Sequence, residues 1–375
     1  MGAAVKGYVA PGFGAVADAF AANFAERGES GAACSVMVEG KTVVDIHGGE
    51  ARPGRPWNEQ TRSVVFSTSK GVTTILLLMA AERGLLDLDE PVATYWPEFG
   101  AHGKDRITVR QTLAHRAGLI APEIEHTPQD LKAWLPVVDG LAAQAPLWKP
   151  NAAHAYHPLT FGYLAGEVLR RVSGKLPSQW LAEEVAGPLG LSTTFGADPA
   201  DEDLAVIRRT TGVGDGVPLT VEARQLSERA AMTSAYGPDL FEASNGEVYL
   251  GTESPGANLV TRARDLARLY SATVTEVDGI RLTGADVIAE ASKPLSSGTP
   301  FLGPDAGHIW ATGFMVHSPR RGMVGPGSFG HDGAGGQLAF AHPGLRLGFG
   351  FQTAQAGGDD DLRAEILSAA LLSCL

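Results

Sequence analysis

Apolar residues recur at helical spacing over residues 16–27, and Gly28 stands where such a helix would stop. Two short runs rich in β-branched and apolar residues follow, 35–38 and 42–46. With Gly40 turning the chain between them, they predict a β-hairpin. Residues 52–62 are polar and read as a loop. From Val64 a strand-like approach leads into a helix reaching about residue 83, closed by Gly84. That helix is apolar nearly all round, which places it inside the protein. Between 87 and 252, helical patterns at 109–114, 162–172 and 179–185 alternate with Pro- and Gly-rich loops, and strand signals are sparse. Strand patterns return at 311–316, 337–341 and 346–351, with Pro343-Gly344 turning the last pair. A helix over 263–274, with Thr261 as its N-cap, precedes these strands, and a helix over 359–372, acidic in its first turn, follows them.

Strands at both ends of the chain and helices in the middle predict an α+β fold. The terminal segments, 1–90 and 253–375, would share one antiparallel sheet flanked by helices, and 91–252 would form a mainly helical second domain. A chain of 375 residues is long enough for this division, and 44% apolar with 19% charged residues is the composition of a packed globular protein. The net charge of −12 opposes binding to nucleic acid and to anionic membrane surfaces. Two cysteines, Cys34 and Cys374, make neither a disulfide framework nor a metal cluster. The first residues lack a signal-peptide core, and the longest apolar stretch, 72–81, is too short for a bilayer span, so a cytoplasmic location is expected.

Candidate chemistry centres on Ser67-Thr68-Ser69-Lys70. Positions i and i+3 share one helical face, so at a helix start the Ser67 hydroxyl lies beside the Lys70 amine. A serine hydroxyl needs a neighbouring base to become a nucleophile, and a lysine becomes one when burial depresses its pKa. Taken alone, the tetrapeptide reads equally as a helix-capping serine with an exposed lysine. Gly325-Pro-Gly-Ser-Phe-Gly330 formally fits a dinucleotide fingerprint, but no helix pattern follows it. There is no G-x-S-x-G elbow, and the ten histidines show no metal-ligand spacing.

Other segments join the tetrapeptide. They are Val65-Phe-Ser-Thr-Ser-Lys-Gly-Val-Thr, Ile107-Thr-Val-Arg-Gln-Thr-Leu-Ala-His-Arg-Ala-Gly-Leu119, Tyr156-His157-Pro158, Gly162-Tyr-Leu-Ala-Gly-Glu167, Pro188-Leu-Gly-Leu191 and Phe329-Gly-His-Asp-Gly-Ala-Gly-Gly336. In this order and spacing the chain resembles the serine β-lactamase and penicillin-binding-protein superfamily, and within it the family VIII carboxylesterases. The resemblance implies a β-lactamase/transpeptidase-like fold with the active site in the cleft between its two domains. It makes Ser67 the nucleophile, with Lys70 beside it, and Tyr156 the base toward Ser67 and then the acid toward the leaving alcohol. The backbone N–H groups of Ser67 and Ala334 would form the oxyanion hole, with Gly333 letting backbone approach the substrate.

His331 stands where the family carries a lysine, and Pro158 where it carries an asparagine. Both departures favour neutral esters over β-lactams, because the fixed cation and the side-chain amide are missing. Trp310, His157 and His331 are further candidates for lining the substrate site, with Trp134 and Trp148 as weaker aromatic candidates. The resemblance thus predicts a serine esterase for small carboxylic esters of short acyl chain, needing neither cofactor nor metal. The same residues would equally serve a β-lactamase, D-peptidase or amidase, or a sensor that is acylated without turning over. The partners expected are the small-molecule ester and, at most, further copies of the chain.

Overall fold

The computed structural model of the protein describes residues 4–210, 220–358 and 360–375. Its main sheet has eight strands, seven of them in one path. The N-terminal part supplies β1 (Lys6–Val9), β2 (Gly31–Val38) and β3 (Lys41–Arg52). The C-terminal part supplies β4 (Met315–Val316), β5 (Phe329–Gly333), β6 (Gln337–His342) and β7 (Leu347–Thr353). The spatial order is β1-β3-β2-β7-β6-β5-β4, and every neighbouring pair is antiparallel. Strand β7 therefore joins the two ends of the chain at the sheet's centre. The short strand Arg55–Pro56 pairs with β3.

Alternation along the central strands decides which face meets which helix. Ala32, Cys34 and Val36 of β2 and Leu347, Phe349 and Phe351 of β7 share one buried cluster with Val16 and Phe20. These last two lie on helix α1 (Gly14–Glu26), and Leu367 and Leu371 of the C-terminal helix α5 (Arg363–Leu372) join them. The opposite face carries helix α4 (Ala263–Val274). Here Gly348 and Gly350 are required: a Cβ on either would lie 2.2 Å from the Ala267 carbonyl or 2.4 Å from that of Ala263.

Helix α2 (Thr68–Glu82) is buried from Thr68 through Ala80, as its apolar sequence predicts. It packs between the sheet strand β5 and helix α3 (Thr160–Ser173), which ends at Gly174 in the left-handed conformation. Gly162 of α3 touches Gly256 so closely that a Cβ would meet its nitrogen at 2.3 Å. A small sheet of Ser63–Val64, Leu259–Thr261 and Thr194–Phe195 supports the approach to α2.

Several sequence expectations change. Thr261 ends a strand instead of capping α4; the N-cap position is Arg262, without a side-chain cap. The predicted strand 311–316 is reduced to Met315–Val316. The hairpin's second strand runs on to Arg52, beyond residue 46 where its sequence pattern ends. The last helix begins at Arg363, not at 359, which lies outside the described residues. Among the described residues no helix is long and apolar enough to cross a membrane.

Candidate active site

The turn into α2 is built around Phe66, whose φ of 45° is the left-handed region that bulky side chains avoid. Its ring is buried, edge-on to Phe241 at 5.4 Å, so tertiary packing holds the strained backbone. This sharp entry puts Ser67 at the N-cap position of the helix, half-buried, where its N–H meets the positive end of the helix dipole.

One turn on, Lys70 is completely buried. Its Nζ lies 3.1 Å from Ser67 Oγ, 2.6 Å from Pro158 O and 2.7 Å from Gly256 O. Burial brings the ammonium down from 10.5 to about 7, against the opposing pull of the Asp332 carboxylate. The Tyr156 hydroxyl donates to Ser67 Oγ at 2.6 Å, and its ring stacks on Trp310 at 5.2 Å. Burial pushes the Tyr156 phenol well above its usual range. His115 supports the pair from below, 5.0 Å from the Tyr156 ring and 4.6 Å from that of Trp310.

Strand β5 closes the other side. Its ladder with β6 ends at Gly333, which packs on the turn before Ser67: a Cβ there would sit 2.2 Å from Val65 O. The Thr68 hydroxyl donates to His331 O at 3.4 Å. Ala334, the next residue after Gly333, thus stands beside Ser67. Among the described residues, neither the Ser67 nor the Ala334 N–H is taken by a backbone or side-chain acceptor. Beyond β5 only Phe329 and Gly330 are covered by β4, so among the described residues His331–Gly333 is a free edge.

A cavity of about 1210 Å³ opens over this group, and Ser67, Tyr156, Trp310, Gly333 and Ala334 line it. Two expected lining residues do not reach it. His157 is wholly buried; it accepts from Leu119 N–H at 3.2 Å through Nε2, and its Nδ1 lies 2.7 Å from Ala155 O. Burial brings it down to about 4, so it is a neutral structural residue, and His154 lines the cavity in its place. His331 is also wholly buried, with Nδ1 2.6 Å from Asp332 O; burial, against the opposing Asp332, brings it down to about 4. It carries no charge near neutrality. Trp134 lies in the core with Nε1 bonded to Glu167, and Trp148 packs on Phe301 at 4.7 Å.

Sequence reasoning missed the carbonyls of Pro158 and Gly256 that hold Lys70, since every residue carries a carbonyl and none announces its direction. It also missed the ion pair of Asp332 with Arg321 in the cavity wall, where Arg321 is paired in turn with Glu365.

The fold and its polar centre define the class: this is a serine hydrolase built on the β-lactamase architecture. The chain belongs to the beta-lactamase family, whose model its residues 16–372 match. It is 36% identical over 361 residues to the Esterase/beta-lactamase LipL of Mycobacterium tuberculosis (strain ATCC 25618 / H37Rv), covering 93% of this chain and 82% of that protein. Among solved structures it is similar to a family VIII carboxylesterase, with a TM-score of 0.89 and 34% identity over 99% of this chain and 100% of that one. It is likewise similar to EstA from Arthrobacter nitroguajacolicus Rue61a, with a TM-score of 0.88 and 30% identity over 100% of this chain and 98% of that one.

Proposed function

We propose that the protein hydrolyses carboxylic esters of short acyl chain through an acyl-enzyme on Ser67. The observation that carries this reading is Ser67 Oγ held between Lys70 Nζ and Tyr156 Oη. A neutral amine has two N–H groups and one lone pair. Pro158 O and Gly256 O take the two N–H groups, so the lone pair faces Ser67 Oγ. Lys70, brought down to about 7, is then the base in the first step. Tyr156, pushed the other way, stays protonated and serves as the acid. The resemblance implied the tyrosine as first base; the opposed effects of burial favour this division of labour.

Ser67 Oγ attacks the ester carbonyl as its proton passes to Lys70. The Ser67 and Ala334 N–H groups hold the oxyanion. The tetrahedral intermediate collapses, the alcohol leaves with the Tyr156 proton, and Lys70 returns a proton to the phenolate. Water repeats the sequence and frees the acid. The cleft in this reading lies between the sheet unit, 1–90 with 253–375, and the helical unit, 91–252.

Esters are favoured over β-lactams because His331, neutral and buried, supplies no cation for a carboxylate. Pro158 offers its carbonyl to Lys70 and has no amide to offer an acylamino group. The test compares p-nitrophenyl esters of rising acyl length with a chromogenic cephalosporin, for wild type and Ser67→Ala. Short-ester turnover that vanishes in a folded Ser67→Ala protein is expected. Efficient cephalosporin cleavage with poor ester turnover would replace the esterase reading by a β-lactamase one.

A further inference from the structure

Arg363, the first residue of α5, lies almost wholly buried behind the glycine-rich turn that follows β5. Its Nη1 donates to Glu29 Oε2 at 2.6 Å and to Thr353 Oγ1 at 3.0 Å. Nε donates to Asp361 Oδ1 at 3.0 Å. Nη2 donates to Asp361 Oδ2 at 2.6 Å, to Gln355 O at 2.5 Å and to Gly335 O at 3.1 Å. Glu29 is buried too, and it also accepts from the N–H groups of Ser30 and Gly31 and from the Thr353 hydroxyl.

The turn needs such a support. Strand pairing stops at Gly333, and Gly335 and Gly336 have φ of 86° and 106°, so their own conformational preferences fix little. Gly335 O is held by Arg363 and by Gly357 N–H at 3.1 Å. A Cβ on Gly336 would lie 2.3 Å from Asp361 Oδ2, so the turn rests directly on the ion cluster. Ala334 is therefore gripped on both sides, by Gly333 against Val65 and by Gly335 against Arg363. Buried ion clusters contribute little net stability compared with apolar packing. What a planar five-donor fork supplies is direction.

We propose that Arg363, fixed by Glu29 and Asp361, is a positioning residue for catalysis that aims the Ala334 N–H at the oxyanion. This rests on the oxyanion role proposed above for Ala334. The test uses Arg363→Lys, Arg363→Ala and Asp361→Asn in the full chain. Active sites are counted by the p-nitrophenol burst, so a merely structural loss lowers the count and not the rate per site. Phenylboronic acid, which forms a tetrahedral adduct on serine, reads the oxyanion site without turnover.

In Arg363→Lys, kcat per titrated site should fall about tenfold or more, and phenylboronic acid affinity in parallel, with KM within about twofold. Methylguanidinium should restore part of both in Arg363→Ala. Should the Arg363 variants fail to fold, Asp361→Asn decides, with a parallel loss of about threefold expected. Rates per site and boronate affinities within twofold of wild type would overturn the proposal. So would a loss confined to KM, or a fall in kcat with boronate affinity unchanged. A wild type that shows neither a burst nor Ser67-dependent boronate binding would instead sink the underlying reading, and this proposal with it.

Discussion

Titrating Lys70 is the sharpest probe of the site. With its pKa at about 7, about half the molecules carry the neutral amine at pH 7; at 10.5 the share would be about one in three thousand. Burial thus raises the competent fraction about a thousandfold at neutral pH. The ester kcat/KM should fall with unit slope below about pH 7, reaching about a hundredfold loss at pH 5. The cost appears in stability. The fall from 10.5 to about 7, at 1.36 kcal/mol per pH unit, amounts to about 5 kcal/mol. Between those pH values the unfolded chain binds the proton that the folded one refuses, so stability rises with pH across that window, and the cost is borne in full below it. Lys70→Met lacks this group. The wild-type minus Lys70→Met difference in unfolding free energy, from denaturant titrations at pH 7 to 10, should therefore climb with pH. The variant should also lose at least about a thousandfold in kcat. An acid limb near pH 10, no limb at all, or a flat stability difference would refute the reasoning.

Tyr156→Phe removes the donor on Ser67 Oγ while keeping the stack on Trp310, so steady-state kinetics should show kcat down about 10²–10³-fold with KM within about threefold. A kcat near wild type would take the phenol out of the mechanism. Gly333→Ala forces a methyl against Val65 O, and should lower both kcat and unfolding free energy, the latter by about 1–3 kcal/mol in urea titrations. Glu167→Ala leaves Trp134 Nε1 without its acceptor and removes the carboxylate that faces Arg170 and Arg171. It should cost about 3 kcal/mol, read by the same titration, without changing turnover per folded molecule.

The sequence made the buried helix and the tetrapeptide at its head legible because both are local signals. The C-terminal strands were legible for the same reason, since Gln337–His342 and Leu347–Thr353 carry dense apolar runs around a Pro-Gly turn. Strand β1 was not, because its first three residues are exposed and no apolar face marks it. The end of β3 was hidden because Gly48 and Gly49 pair across to Ala32 and Gly31, a partnership that composition argues against. At the site, the structure brings Ser67, Lys70 and Tyr156 together. His331 was placed in the cleft by analogy with a motif and His157 as a further lining candidate, and burial withdrew both. The strain at Phe66 and the reach of Arg363 depend on contacts far along the chain, which no local pattern encodes.

The placement of β7 bears on how the protein comes into being. Strands β2 and β6 are joined only through β7, which lies between them. A chain still emerging from the ribosome can fold the nucleophile's helix long before that, yet Ala334 lies 267 positions after Ser67 and reaches it only on a strand docked through β7. During that interval two sheet edges stay open to wrong pairing. With the oxyanion role proposed for Ala334, a truncated chain ending before Leu347 should be inert toward esters, however well its helices had formed.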